Sequence, residues 1–529
     1  MRLKAITVGV ALAAVALSAC ATTSNGGSNG GSSKGTSSGK SLIVAIGTDI
    51  DTLDPAAQVT TAVMQQEMMM VESLTKLGAN GQAQPLLATK WTVSPDGLSY
   101  TFTLRSGVKF SDGTPFNAAA VKWSLDRINS PKTFKADVNV YSVIKDVRAT
   151  GDLSVVIDLK NAFPALPAAL ALPIAGITSP TAGTKAPNTI EQIKKPVGTG
   201  PYMFSSEVQG DHLTMVVNPG YWGPKPAYAT QTYQVVPDAS SRLALLKSGG
   251  AQVIADPPAS ELQSLQSSSS SKVLLFDSPY VIDMQFNTQD PKVSAMRQAE
   301  VRQALSYAVD RATIIKSVLY GAGNELNGPL PSFIAGSCDT GNYGYDPAKA
   351  KQMLAAAGVK NLSVQMMSSN ARYLNDYKVA QAVAGYLRAV GVNVTLAPPT
   401  DFATYLSELF VAPAKSTNRS LDLIGWGALY PDASQALYQF QSADLPPGGY
   451  DGSNYSSPAF DALMTKANAT VDDTQRNGLY CQAQKLLISD APVMFLYGLK
   501  NVVVTSSGVS GVVGRPDNTF DTVYATPTS

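Results

Sequence analysis

Along residues 91–128 the spacing of apolar side chains switches from strand period to helix period. Tyr100, Phe102 and Leu104 alternate with Thr101 and Thr103, the period-two pattern of a half-buried strand. A turn at Ser94-Pro95-Asp96-Gly97 precedes it, with proline presetting φ and glycine at the fourth position. After a second turn at Ser111-Asp112-Gly113, Asn117 suits an N-cap, and Val121, Leu125 and Ile128 then fall on one helical face. The segment is an α+β unit.

The same reading extends along the chain. Leu42, Val44 and Ile46 alternate as a first strand, and a helix is predicted over 61–77 with Gly78 ending it. Its Met64, Met68, Met69 and Met70 suit core filling better than a ligand surface. Pro164, Pro167 and Pro173 break up residues 161–173. Val301, Ala304, Leu305 and Ala308 share one apolar helical face, Asp310 caps a following helix and Gly321 stops it. Asp346-Pro347 opens another helix, closed by Gly358. A strand at 362–366, a helix at 377–390 and a strand at 392–396 make a βαβ unit, followed late in the chain by a strand at 491–497.

At the start, Arg2 and Lys4 precede an apolar run over 5–17. The run is shorter than the ~20 residues a bilayer span requires and reads as a secretory signal. Leu17-Ser18-Ala19-Cys20 resembles a bacterial lipobox, which makes Cys20 the expected lipidated N-terminus. Residues 21–40 are almost wholly Gly, Ser, Thr and Asn, a flexible tether. Two G-x-S-x-G strings at 31–39 lack the strand and helix that a hydrolase elbow requires.

At 529 residues the chain exceeds a single core and calls for two or more lobes. Forty Lys and Arg balance 39 Asp and Glu, which removes the basic footprint of a nucleic-acid binder. His212 is the only histidine and sits on the solvent side of an alternating stretch, so neither a histidine metal site nor histidine catalysis is expected. Cys338 and Cys481 are either a disulfide or two buried thiols; in an exported protein the bond is the expectation.

The order of residues says more than their periodicity. The 91–128 segment, Thr52-Leu53-Asp54-Pro55, the run PVGTGPY at 196–202, the run NPGYWG at 218–223, the helix pair VRQALSYAVDRATIIKSVLY at 301–320 and the run LIGWGALYPDAS at 423–434 resemble, in this order, motifs of the family 5 extracellular solute-binding proteins of peptide and nickel ABC importers. Three positions depart. Ala119 and Ala120 replace an acidic pair, 249–252 reads Gly-Gly-Ala-Gln where acidic residues are usual, and Leu429 stands where peptide-binding relatives carry an aspartate that pairs with the peptide's α-amino group.

The resemblance implies an α/β, two-lobed periplasmic-binding-protein-like clamshell (type II, cluster C) with an extra α+β subdomain in the first lobe. It divides the chain into a signal peptide (1–19), lipidated cysteine and tether (20–40), first lobe (41–85), extra subdomain (86–195), first lobe again (196–284), second lobe (285–497) and a return to the first lobe (498–529). Crossings fall near 282–287 and 496–502. It further implies a non-enzymatic, substrate-binding lipoprotein without cofactor or metal, monomeric and anchored to the outer face of the cell membrane. It would capture an oligopeptide-like solute and deliver it to an ABC permease and its ATPase. The expected ligand residues are Val59, Thr60 and Thr61 on the first lobe, Trp426, Gly427, Leu429, Tyr430 and Asp432 on the second, and Tyr497 near the hinge. Arg419 is read as a solvated charge or a partner for a ligand carboxylate. Leu429 leaves room for an oligosaccharide or metal chelate instead of a peptide. A ligand-sensing lipoprotein and, more remotely, an extracellular hydrolase are the rival functions.

Overall fold

The computed structural model describes residues 40–57, 61–130, 140–182, 193–370, 372–416 and 419–528. Their main element is one eleven-stranded mixed sheet. Its centre is a ribbon of two long antiparallel strands, Ser271–Phe286 and Val493–Ser506. Near one end of the ribbon, Val253–Ala255 pairs with 503–505 and leads to Ser41–Ile46, Thr230–Val235, His212–Val217 and Tyr202–Val208. Near the other end, Leu421–Gly427 pairs with 280–286 and leads to Ser363–Ser368 and Asn393–Leu396. The change of neighbours coincides with a break in ribbon register between Asp277 and Val281. Two half-sheets therefore hang from opposite ends of one ribbon, the two-lobed α/β arrangement expected from the sequence.

Each half is built around parallel strands. Ser41–Ile46 is parallel to both Thr230–Val235 and Val253–Ala255; Ser363–Ser368 is parallel to Asn393–Leu396 and Leu421–Gly427. Parallel pairing needs crossovers, and Asp376–Ala389 supplies one of them, burying Val379, Val383 and Leu387. The predicted caps are in place: the side chains of Asn117, Asp310 and Asp346 accept from the backbone N–H groups of Ala120, Thr313 and Lys349.

A four-stranded antiparallel sheet, ordered Ala88–Val93, Ser99–Leu104, Ser154–Leu159 and Ile144–Gly151, carries helix Ala118–Ile128 on one face. Tyr100, Phe102, Leu104, Val121 and Leu125 meet in its core. A buried pair ties this unit to the first half-sheet. Arg127 Nη2 lies 2.6 Å from Asp54 Oδ2, and Asp54 also accepts from the backbone N–H of Ala56 and Ile193.

The helix predicted over 61–77 ends at Met70, and 75–77 is a strand paired with Ala83–Pro85. The Met70 carbonyl accepts from Gly200 N–H at 3.0 Å, a long-range partner at the point where the helix stops. A Cβ on Gly200 would lie 2.5 Å from the Met69 carbonyl, so the PVGTGPY run needs glycine there for this close approach. Met64, Met69 and Met70 are core residues. Cys338 and Cys481 are joined in a disulfide.

Candidate functional site

Ligand crevices in α/β sheets lie outside the carboxyl ends of the parallel strands. Here those ends, from both half-sheets, wall a single cavity of about 600 Å³. From the first half come Gly47 and Thr48, after Ser41–Ile46, and Asp256, after Val253–Ala255. From the second come Arg372 to Asn375, after Ser363–Ser368, with Tyr280, Lys500 and Asn501 from the ribbon. A more open groove of about 680 Å³ runs past Gln263, Ala312, Lys316 and Tyr320. Three of these lie on helices, Gln263 on Leu262–Gln266 and Ala312 and Lys316 on Arg311–Ser317, whereas strand ends wall the cavity.

The strand ends are held by buried polar residues. Arg242 donates to the carbonyls of Val236, Pro237, Ala255 and Asp256 at 2.6 to 2.9 Å, placing four of its five N–H donors on the backbone of two adjoining loops. A Cβ on Gly47 would approach Arg242 Nη1 to 2.8 Å, so the third loop fits only without a side chain. On the opposite wall, Asp376 accepts from Ser369 Oγ and from the backbone N–H of Arg372 and Tyr373, fixing the loop that carries Arg372. Asp256 and Asn375 adopt φ of 48° and 53°, the left-handed region that Asp and Asn tolerate best after glycine.

The Arg372 side chain is exposed, with its guanidinium over the rings of Phe402 and Tyr373 at 5.1 and 5.2 Å. Among the described residues no carboxylate lies within 4.0 Å of it. It is a cation left open towards the cavity.

The sequence-predicted residues divide into three groups. Trp426 and Gly427 end strand Leu421–Gly427 beside the ribbon. A Cβ on Gly427 would lie 2.5 Å from the Tyr280 ring, which forms part of the cavity wall. Trp426 meets Tyr438 edge-on at 5.1 Å, and its indole N–H is buried without a hydrogen-bond partner. Leu429 and Tyr430 pack instead into the core of the four-stranded unit, with Tyr430 edge-on to Phe163 at 5.9 Å. Asp432 and Tyr497 belong to the fabric. Asp432 accepts from the backbone N–H and hydroxyl of Ser434 as cap of Ala433–Ala436, and Tyr497 is fully buried opposite Ile282. Thr61 opens helix Thr61–Met70; Val59, Thr60 and Cys20 lie outside the described residues.

Arg419 is not solvated. It is buried, ion-paired with Asp422, and donates to the Gly452 carbonyl at 2.8 Å. Asp256, Tyr280 and Arg372 escaped the sequence reading. For Arg372 a signal existed: it sits in the loop between the first strand and the helix of the predicted βαβ unit, at a carboxyl end. Among the described residues no group of three His, Cys, Asp or Glu is placed to hold a metal ion, and no helix is long and apolar enough to cross a membrane.

With that geometry in hand, comparison with known proteins is specific. Residues 82–445 match the family model described as bacterial extracellular solute-binding proteins, family 5 Middle. The glutathione-binding protein GsiB of Pectobacterium atrosepticum is 32% identical over 486 residues, covering 91% of this chain and 93% of that protein. Among solved structures, the ABC transporter substrate-binding protein CtaP of Listeria monocytogenes has a TM-score of 0.83 at 23% identity, covering 93% of this chain and 100% of that one. The periplasmic binding protein DppA of Helicobacter pylori, solved with the peptide STSA, has a TM-score of 0.70 at 26% identity, covering 89% and 95%.

Proposed function

Because this chain belongs to the family 5 bacterial extracellular solute-binding proteins, we propose that it captures a peptide-like solute in the cavity between its half-sheets and hands it to the permease of an ABC importer. The observation that carries the reading is Arg372, a cation with no carboxylate partner on the wall of a cavity that both half-sheets build. Its fork of N–H donors suits a ligand carboxylate. Ligand touching both walls favours the closed arrangement, and closure is the signal a permease reads. The names of its relatives, glutathione- and peptide-binding proteins, support this solute class. The chain would work as a monomer, exported and held to the outer face of the membrane by lipid on Cys20, through the tether at 21–40.

Leu429 supports a second reading. It packs into an apolar core, where it offers a ligand amino group nothing, so an anionic sugar or metal chelate held at Arg372 would suit the same cavity. Native mass spectrometry of the purified chain separates the two. Co-purifying masses spaced by amino-acid residues support the peptide reading, and a single non-peptide mass supports the other. Calorimetry with glutathione and trialanine tests the first directly. Arg372→Ala should weaken binding about 10- to 100-fold, the worth of one charged hydrogen-bonded contact. Wild-type affinity in that variant would overturn the placement.

A further inference from the structure

We infer that Asp256 is the counter-charge for a ligand ammonium group, so that the cavity takes zwitterions with the amino end on the first half-sheet and a carboxylate on the second. The inference rests on the peptide reading above and adds to it a ligand polarity and a residue. In peptide-binding proteins that this sequence resembles, the ammonium is met from the second lobe, at the position of Leu429; here that side chain is packed into the four-stranded unit.

Asp256 lines the same cavity as Arg372, from the opposite wall. Among the described residues no hydrogen bond reaches its carboxylate and no cation lies within 4.0 Å of it. The nearby Arg242 does not serve: four of its five N–H donors go to backbone carbonyls, and it forms no ion pair with the Asp256 carboxylate. Asp256 and Arg372 are thus an uncompensated anion and cation facing one space and standing more than 4.0 Å apart. Its side chain is accessible in area yet surrounded by the cavity walls, and that enclosure pushes its carboxyl above the usual range, with Arg242 pulling the other way. An entering ammonium relieves the same penalty. Lys500, on the ribbon, is the third charged residue of the lining. With one anion and two cations on the walls, the complementary solute carries one ammonium and two anionic groups.

The test is a cycle between protein and ligand. Glutathione and trialanine, each free, N-acetylated and C-amidated, are titrated calorimetrically into the wild-type chain, Asp256→Asn and Arg372→Ala. Asparagine tolerates the positive φ, so Asp256→Asn removes charge without straining the backbone; an unchanged unfolding midpoint verifies this. The expected result is that N-acetylation weakens wild-type binding about tenfold or more but changes Asp256→Asn binding less than about twofold, while Arg372→Ala keeps the acetylation penalty. A full acetylation penalty in Asp256→Asn overturns the inference. So does a wild-type protein that binds the free and acetylated forms alike, and in that case the peptide reading survives. If no probe binds the wild type, both fall.

Discussion

The buried Glu72 carboxylate accepts a 2.7 Å hydrogen bond from the indole N–H of the half-buried Trp222 in the first half of the molecule. Thr199 Oγ1 and Tyr221 Oη donate to the same carboxylate at 2.7 and 3.1 Å, and the Arg105 guanidinium covers the Trp222 ring at 4.3 Å. Two motifs that stand apart in the sequence, PVGTGPY and NPGYWG, are thereby joined on one buried acid. Replacing Glu72 by alanine strands three donors, each costing about 1–3 kcal/mol when left unpaired. Glu72→Ala should therefore lose about 3–5 kcal/mol by urea unfolding, and Glu72→Gln less.

The same acid gives stability a pH dependence. Burial raises its pKa to about 7, against the pull of its three hydrogen bonds. A carboxyl whose folded pKa lies above its unfolded value binds its proton more tightly in the native state. The stabilisation is complete below pH ~4.5 and is lost as pH rises towards 7, with a slope approaching ~1.4 kcal/mol per pH unit. Asp451, also raised to about 7, adds to the fall with the same sign. Unfolding free energies measured across this window should decline with pH in the wild type and less steeply in Glu72→Gln.

Tyr430 reaches from the loop after Leu421–Gly427 into the core of the four-stranded unit. Truncation to alanine leaves a void beside Phe163 and should cost about 3–5 kcal/mol. Because this ring joins parts of the molecule that meet across the chain, ligand affinity should fall together with the urea midpoint.

Gly427 is the sharper probe of the cavity wall. A methyl group there collides with Tyr280, so Gly427→Ala should shift that ring, cost about 1–3 kcal/mol and weaken peptide binding by calorimetry. Unchanged affinity would show that the Tyr280 ring contributes nothing to the site.

Reduction of Cys338–Cys481 releases a link spanning 143 residues. Loss of about 2–5 kcal/mol is expected when the Cys338→Ser/Cys481→Ser chain is compared with the oxidised wild type.

Much of this architecture is written locally. Asn117, Asp310 and Asp346 cap helices as a few neighbouring residues predict, and the parallel pairing of Ser363–Ser368 with Asn393–Leu396 follows from the strand–helix–strand order. Local reading overran where a distant partner intervenes. Residues 71–77 have helical spacing, but the chain stops its helix at Met70, where Gly200 takes the carbonyl. Arg419 has a local partner in Asp422, three residues on, but its burial is not legible there, since the Gly452 carbonyl that also receives it becomes a neighbour only in the fold. The open charges were harder still. Asp256 and Arg372 acquire meaning from facing each other across one cavity, and nothing in either stretch alone announces the other.

The central ribbon sets what kind of motion this molecule can make. Two strands cross-linked by hydrogen bonds on both sides of a register break act as a torsion bar: stretching or splaying it severs many bonds at once, whereas twisting it severs few. A swing of one half-sheet against the other is then channelled into a single angular coordinate. The width of the cavity mouth and the separation of its two walls become functions of that one angle, and a guest selects the angle by its length.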